Sequence, residues 1–505
     1  MSTFMGLETS KRGLFTQQTA LYTTGHNISN ANTLGYSRQR VNMEATAGFP
    51  GVGLGAGTMP GFLGTGVQAG SIQRIRDGFV DQQYRQESNK LGYWESKSQA
   101  VAQMEDVLAE PSEYGLQQSL SDFWASLNDL AVNPENAGAR TVVVRRGEAV
   151  ADSFNHMHKS LSDIQTNLGK EISVTTNEVN AIFQQITELN EQIAKVEPNG
   201  YLPNDLYDAR DRLVDQLSTI LPIEVSYDPS GGRAPAIAEG SIVIRVKTDN
   251  GSIEVLKGTS FNEMSVTYKQ VDGNPDGAVA GFNFGTNDLP VGNMVNTGKM
   301  KSLVESFGYM EGTEVKGMYP NMMNDLNRMA NAFAVEFNNV HKNGTDLNGE
   351  KGKDFFVKDS AGLFTAENIK VSDDLLKDPN KLAASDSAEK IGNGEIGNGN
   401  NAKNLAGVQF LTTVGLEGST IQSFYQGVIG RLGVEGRQAA NNMVNSGTLL
   451  GAVENRRASI SSVSLDEEMT DMIRFQQAYN ASARMITVVD ETLDKIINGM
   501  GVVGR

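Results

Sequence analysis

The stretch SLDEEMTDMIRFQQAYNASARMITVVDETLDKIINGM, residues 464–500, decides how this chain is read. Leu465, Met469, Met472, Gln476, Tyr479, Ala483, Ile486, Asp490, Leu493, Ile497 and Met500 follow alternating steps of four and three. That spacing turns one stripe of a helix toward a partner helix. Ser464 with Glu467 three residues later is a capping-box pattern, in which each side chain satisfies a free backbone donor, so a helix is predicted from about Leu465 to Gly499. Polar Gln476 and Asp490 interrupt the stripe. Such residues either set register at a cost in stability or face a wet gap, and the spacing leaves both open.

The N-terminus carries a matching pattern. Leu7, Leu14, Leu21 and Ile28 recur every seven residues, with Phe4, Phe15 and Tyr22 widening the stripe. The pattern stops in Gly25 to Gly35, where Asn and Gly residues close turns, and an extended stretch is expected over Ser37 to Met43. Between the ends, Leu116, Leu120, Phe123, Leu127 and Leu130, and then Val179, Ile182, Ile186, Leu189, Ile193 and Val196, read as long amphipathic helices. Weaker helical patterns cover Tyr84 to Leu108, Met322 to Val340 and Ile421 to Val453. Short β-rich runs at 223–227, 242–246, 253–256 and 265–268, separated by Gly, Asp, Asn and Pro, mark an inserted β-domain. The Gly- and Asn-rich stretch 346–401, peaking at 391–401, reads as an exposed, at most partly ordered excursion.

The expected fold is therefore α+β and multi-domain, with terminal coiled-coil-like helices, a long-helix bundle and an inserted all-β domain. Residues 1–70 with 461–505 form the terminal assembly domain. Residues 71–220 with 300–345 and 402–460 form the bundle, 221–299 the β-insert and 346–401 the excursion. A length of 505 residues agrees with several cores rather than one.

Composition narrows the function. A net charge of −17 has the wrong sign for general affinity toward nucleic acid or anionic lipid. No apolar run reaches the roughly 18 residues a membrane helix requires. Met1 to Gly13 lacks the basic segment and apolar core of a cleavable secretory signal. The absence of cysteine removes disulfides, thiolate metal sites and thiol nucleophiles together.

No motif points to catalysis, a cofactor or a metal. His156 and His158 are two apart on a predicted helix and so face different ways, whereas shared metal ligation uses spacings of three or four. His26 and His341 stand alone. Gly51-Val-Gly53-Leu-Gly-Ala56 matches only the loosest dinucleotide pattern, with Pro50 before it and no helix after it to aim amides at a phosphate. Asp346-Leu-Asn348-Gly349 has its glycine too early for an EF-hand and reads as a tight turn. The chain is expected to catalyse nothing.

The terminal seams are read as assembly residues: Leu7, Leu14, Leu21, Ile28, Leu465, Met469, Met472, Tyr479, Ile486, Leu493 and Ile497. Burying one seam residue contributes roughly 1.5–3 kcal/mol, while ordering each residue costs about 1–2 kcal/mol in backbone entropy. Only about one residue in three lies on such a seam. Two paired terminal helices are therefore marginal alone, and neighbouring copies are expected to order them.

Gly6-Leu-Glu-Thr-Ser-Lys-Arg-Gly-Leu-Phe15, Asn27-Ile-Ser-Asn30-Ala-Asn32-Thr-Leu-Gly35-Tyr36-Ser37-Arg38-Gln39 and Phe475-Gln-Gln-Ala-Tyr479-Asn-Ala-Ser-Ala-Arg484 resemble the terminal signatures of flagellar rod and hook axial proteins. Gly66 to Phe79, Leu120-Ser-Asp-Phe-Trp124 with Asn133-Pro134, and Asn204-Asp205-Leu-Tyr-Asp208-Ala-Arg210-Asp211 narrow the resemblance to the flagellar hook-associated protein 1 family. Leu34 stands where many axial proteins carry proline. The resemblance implies a subunit of the joint between hook and filament. Its terminal helices would line an inner tube, with the helical domains around them and the β-domain outermost. It also implies partners: copies of itself in a ring, hook protein, hook-associated protein 3, and an export chaperone on the C-terminal helix. The expected place is outside the cell in the bacterial flagellum, reached through type III export. Two other readings compete. One is another axial subunit, such as hook-associated protein 3 or a hook protein; the other is a surface enzyme or adhesin on a coiled-coil stalk, which would need a compact site in the β-insert or in 346–401.

Overall fold

The computed structural model describes residues 4–49, 63–108, 115–271, 274–358, 362–387 and 395–499. The glycine motif at 51–56, residues 391–394 and Met500 lie outside these ranges. In chain order, α1 (Met5–Ser29) leads into the strands β1 (Gln39–Ala45) and β2 (Val67–Arg74). Four helices follow: α2 (Gly78–Leu108), α3 (Leu116–Val132), α4 (Ala137–Val196) and α5 (Asn204–Ile220). A first run of strands is β3 (Ile223–Asp228), β4 (Ser241–Thr248), β5 (Gly251–Lys257) and β6 (Ser260–Phe261). A second is β7 (Met264–Val271), β8 (Asn274–Phe284) and β9 (Asn287–Pro290), then α6 (Lys299–Phe307), β10 (Tyr309–Glu311) and β11 (Glu314–Lys316). After α7 (Met318–Asn343) come β12 (Phe356–Lys358), β13 (Ile369–Val371), α8 (Asp373–Lys377), α9 (Asn400–Gly407), α10 (Ile421–Ser461) and α11 (Leu465–Asp494). The fold is α+β and multi-domain. No described helix is long and apolar enough to cross a membrane.

The chain divides into two compact units, and the stretch 221–299 supplies a sheet to each. The first unit comprises Met1–Lys90, Val179–Glu263 and Ser446–Arg505. Its two sheets are the antiparallel pair β1–β2 and the antiparallel sheet β3-β4-β5-β6. In β4 the apolar run Ile242-Val-Ile is buried on both faces, as expected of an inner strand. Asn190 ties the sheet to the end of α4: its Oδ1 accepts from Ile242 N–H at 3.1 Å and its Nδ2 donates to Gly258 O at 2.7 Å.

The second unit comprises Leu91–Glu178 and Met264–Asn445. Its larger sheet has the order β11-β10-β8-β7, with β9 also on β8 and a parallel step between β10 and β8. The core centres on Phe123, whose ring lies 5.2 Å from that of Phe337, 5.9 Å from Phe355 and 6.0 Å from Phe333. These separations suit offset and edge-to-face packing. Gly147 of α4 is required here, because a Cβ would lie 2.6 Å from the Phe355 ring and 3.2 Å from the Phe123 ring.

The described residues of 346–401 include several that pack into a core. Phe355, Phe356, Ile369, Val371, Leu375 and Leu382 are buried within the second unit. Asn338 of α7 anchors the segment: its Oδ1 accepts from Phe355 N–H and Phe356 N–H at 2.9 Å each, and its Nδ2 donates to Phe356 O at 2.8 Å. Among the described residues of this segment, polar side chains close turns between packed pieces. One is the Asp346 turn, whose carboxylate accepts from Asn348 N–H and Glu350 N–H at 2.8 Å each. Arg140, at the start of α4, joins the same segment by donating to Leu382 O at 2.5 Å, and donates to Pro134 O of its own approach turn at 2.6 Å.

His341 is fully buried and used structurally. Its Nδ1 donates to Lys353 O at 2.5 Å while its Nε2 accepts from Ala383 N–H at 3.0 Å, which fixes the neutral ring. Burial pushes its pKa down to about 4 from 6.5. The unfolded chain therefore takes up a proton near pH 6.5 that the folded chain refuses until about pH 4. Stability should be complete above pH 6.5, fall by about 3 kcal/mol as the pH drops to 4, and stay reduced below. Urea unfolding followed at about pH 7 and about pH 4.5 should show most of that loss in the parent and a much smaller one in His341→Asn. An equal loss in both would assign the acid sensitivity elsewhere.

Candidate functional site

In the first unit α1 and α11 pack against each other, antiparallel. The contacts climb in steps of seven. A Cβ built on Gly6 would lie 3.5 Å from Val489 Cγ2, and one on Gly13 would lie 3.2 Å from Ser482 Oγ. Carried forward, the spacing sets Ala20 opposite Phe475, and both line one groove. It then reaches Asn27, whose Nδ2 donates to Glu468 Oε2 at 3.0 Å. On α1 the surface against α11 is thus a line of small residues ending in an amide, offset by one position from the leucine heptad.

The residues read as seams divide accordingly. Leu7, Leu14, Leu21 and Ile28 are each half-buried. On α11, Met472, Tyr479, Ile486 and Leu493 are half-buried, and the alternate steps between them fall on Phe475, Ser482 and Val489. Gln476 and Asp490 face solvent, one position beyond that alternate set. Leu465, Met469 and Ile497 are 48%, 54% and 69% exposed. The start of α11 also departs from the capping-box pattern. Ser464 occupies the N-cap without a side-chain bond, and Glu467 pairs with Arg38 instead. Arg38 N–H further donates to Ser461 O at 2.8 Å, so the β1 approach and the α10–α11 connection are held together.

Asn27 is the hub of this junction. It is 1% exposed and uses its whole hydrogen-bonding capacity. Nδ2 donates to Gln39 O at 2.9 Å as well as to Glu468, while Oδ1 accepts from Tyr36 O–H at 2.8 Å and Gln39 N–H at 3.0 Å. Burial raises the Glu468 pKa, opposed by the Asn27 bond and by Arg38. Gln39 and Ser37 continue the chain of bonds to α5: Gln39 Nε2 donates to Asp205 at 3.1 Å, and Ser37 Oγ donates to Asp208 at 2.7 Å.

Behind it lies a charge network that the sequence reading missed. Asp211 receives Arg74 at 3.0 Å, Arg76 at 2.5 Å and Arg85 at 3.3 Å. Asp208 receives Arg74 at 2.6 Å, Asp215 binds both Arg85 and Arg457 at 2.8 and 2.7 Å, and Asp81 binds Arg76 and Arg457 at 2.9 and 2.7 Å. Glu239 closes the set, pairing with Arg74 and with Arg210, itself fully buried between the rings of Tyr207 and Tyr227. Burial pushes the Asp211 carboxyl up, but Arg76, Arg74 and Arg85 outweigh it and hold the group well below the usual carboxylate range. A signal existed in α5, where Asn204, Asp208, Asp211 and Asp215 follow helical spacing on the face that also carries Val214. The motifs Gly66 to Phe79 and Asn204 to Asp211 are thus the two sides of one ion-pair cluster, and Leu120 to Trp124 supplies the centre of the aromatic core.

The remaining histidines form no joint site. His26 sits 3.4 Å from Asp205, and burial lowers the His158 pKa. Among the described residues no group of three or more His, Asp or Glu is arranged to hold a metal ion.

Residues 101–356 match the family described as the flagellar hook-associated protein FlgK helical domain, and residues 456–499 match the flagellar basal body rod FlgEFG protein C-terminal family. The chain is 44% identical to flagellar hook-associated protein 1 of Bacillus subtilis (strain 168), with 100% of both sequences covered. It is 25% identical to the protein of that name from Escherichia coli (strain K12), covering 96% of this chain and 98% of that one. The structure of the flagellar hook junction protein FlgK from Burkholderia pseudomallei shares the fold, with a TM-score of 0.60 at 12% identity over 76% of this chain and 100% of that chain. A chain whose termini pair into an axial-type helical end and whose full length aligns with these proteins belongs to the flagellar hook-associated protein 1 family, structural subunits of the external bacterial flagellum at the joint between hook and filament.

Proposed function

We propose that the chain builds this joint as a ring of its own copies, meeting hook protein on one side and hook-associated protein 3 on the other through the outer faces of α1 and α11. The apolar surface left uncovered on that helix pair carries the reading. Leu465, Met469, Ile473, Met485 and Val488 of α11 and Ile497 in the turn after it are each about half exposed or more, as are Phe15 and Tyr22 of α1 and Phe4 at its N-cap. Exposed apolar side chains gathered on one helix pair favour burial by a neighbour. Before assembly the same face needs cover, which suits an export chaperone on α11 and passage through the type III apparatus.

The two kinds of seam residue separate folding from assembly. Leu465→Asp and Met469→Asp should change monomer stability by no more than about 0.5 kcal/mol. They should nevertheless abolish incorporation, since an interface would have to bury the new carboxylate. Met472→Asp and Ile486→Asp place the charge against α1 and should cost the helix pair about 1.5–3 kcal/mol each as well. Complementation of a deletion strain, read by swarming and by electron microscopy of hook ends, gives incorporation, and circular dichroism melts give stability. Normal junctions built from Leu465→Asp and Met469→Asp subunits would sink the proposal.

A further inference from the structure

We infer that Asn27 is a positioning residue that fixes the axial register of α1 against α11. The inference rests on the reading of this helix pair as the assembly surface. Nearly everything else in the pairing repeats with the heptad and so cannot tell one register from the next. Gly6, Gly13 and Ala20 are interchangeable small residues, Leu7, Leu14, Leu21 and Ile28 recur at the same interval, and Met472, Tyr479, Ile486 and Leu493 do so on α11. Sliding by seven residues would set Gly13 against Val489, or Gly6 against Ser482, with small residues again facing the partner side chains. Such a slip moves α11 by about 10 Å along α1.

Only the base of the pair is unique, in the Arg38 contacts to Glu467 and Ser461 and in Asn27. In the observed register the saturated Asn27 amide meets Glu468, itself 5% exposed. One heptad away, Asn27 would face the Phe475 ring, or Glu468 would face Ala20. Each alternative strands a buried polar group without its partner, the device by which a single buried amide selects register in helix pairs. Register matters for assembly because the exposed faces of α1 and α11 must form one composite surface. In the observed register Tyr22 is level with Ile473, and a slip by one heptad would part these two exposed side chains.

The natural chain has no cysteine, so disulfide trapping reports register without background. In Gly13→Cys with Ser482→Cys the two Cβ atoms would lie about 3.9 Å apart, inside the range a disulfide accepts. Gly13→Cys with Val489→Cys and Gly6→Cys with Ser482→Cys report the two slipped registers. In full-length monomer under mild oxidation, only the first pair should close while Asn27 is present. With Asn27→Leu its yield should fall several-fold and a slipped pair should appear. Glu468→Gln, whose Oε1 still accepts from Asn27 Nδ2, should keep the first pattern. If Asn27→Leu still closes the first pair alone, the inference is wrong. If Asn27→Leu closes no pair, Glu468→Leu, which leaves the Asn27–Tyr36–Gln39 turn intact, decides: slipped closure supports the inference and in-register closure alone overturns it. Because trapping is read in the monomer, the register assignment can stand even where Leu465→Asp assembles normally and the interface reading fails.

Discussion

Replacing Asp211 by alanine is expected to destabilise the first unit by about 3–5 kcal/mol, the cost typical of removing one partner from a buried ionic set. Asp211 is 3% exposed and stands between three guanidinium groups, so its loss leaves Arg74, Arg76 and Arg85 crowded with too little negative charge. Asp208, Asp81 and Asp215 each still pair with one of the three, but five arginines of the set then face only four carboxylates. Asp211→Asn should cost somewhat less, because the amide keeps the shape and one acceptor oxygen while losing the charge. Chemical denaturation monitored in the first unit, by fluorine labels or amide exchange in α5 and β4, would show the shift. The second unit, which shares none of these groups, should unfold as before. A change below about 1 kcal/mol in Asp211→Ala would mean that the network contributes nothing net, as some buried ion pairs do.

Phe123→Ala should cost the second unit about 3–5 kcal/mol, at the upper end for an aromatic-to-alanine change because the surrounding rings leave little room to collapse. Phe123 is fully buried, and Trp124, Phe333, Phe337, Phe355 and Phe356 all border it. Its loss should expose segment 346–401 to proteolysis first, since Phe355 and Phe356 belong to that segment. Phe123→Leu, which keeps most of the volume, should cost less than half as much. Unfolding midpoints and the rate of limited proteolysis check both. A cost in Phe123→Ala no larger than in Phe123→Leu would show that the cluster repacks around the vacancy.

Much of the fold was legible because apolar periodicity survives in long elements. The patterns at 116–130 and 179–196 fall in α3 and α4, that at 465–493 falls in α11 while Ile497 lies in a π turn beyond it, and the four β-rich runs fall in β3, β4, β5 and β7. The two sheets could not be told apart from the sequence, since both consist of short strands between the same turn residues. The packing of the described residues in 346–401 was hidden because it is made with Asn338, His341 and Arg140, contributed from distant helices. At the candidate site the heptad step was visible but its phase was not. Phe475 and Gln476, or Val489 and Asp490, are adjacent, and choosing between them requires knowing that α1 presents glycine rather than leucine. The ion-pair cluster escaped for a different reason: its members are spread from Arg74 to Arg457, and each alone looks like a solvated surface charge.

The line Gly6, Gly13 and Ala20 also sets a thickness. Helices that meet through small residues bring their axes to the short end of the usual 8–10 Å separation. The glycines of α1 thus act as a dimension of the pair, and larger side chains at these positions would push the two helices apart.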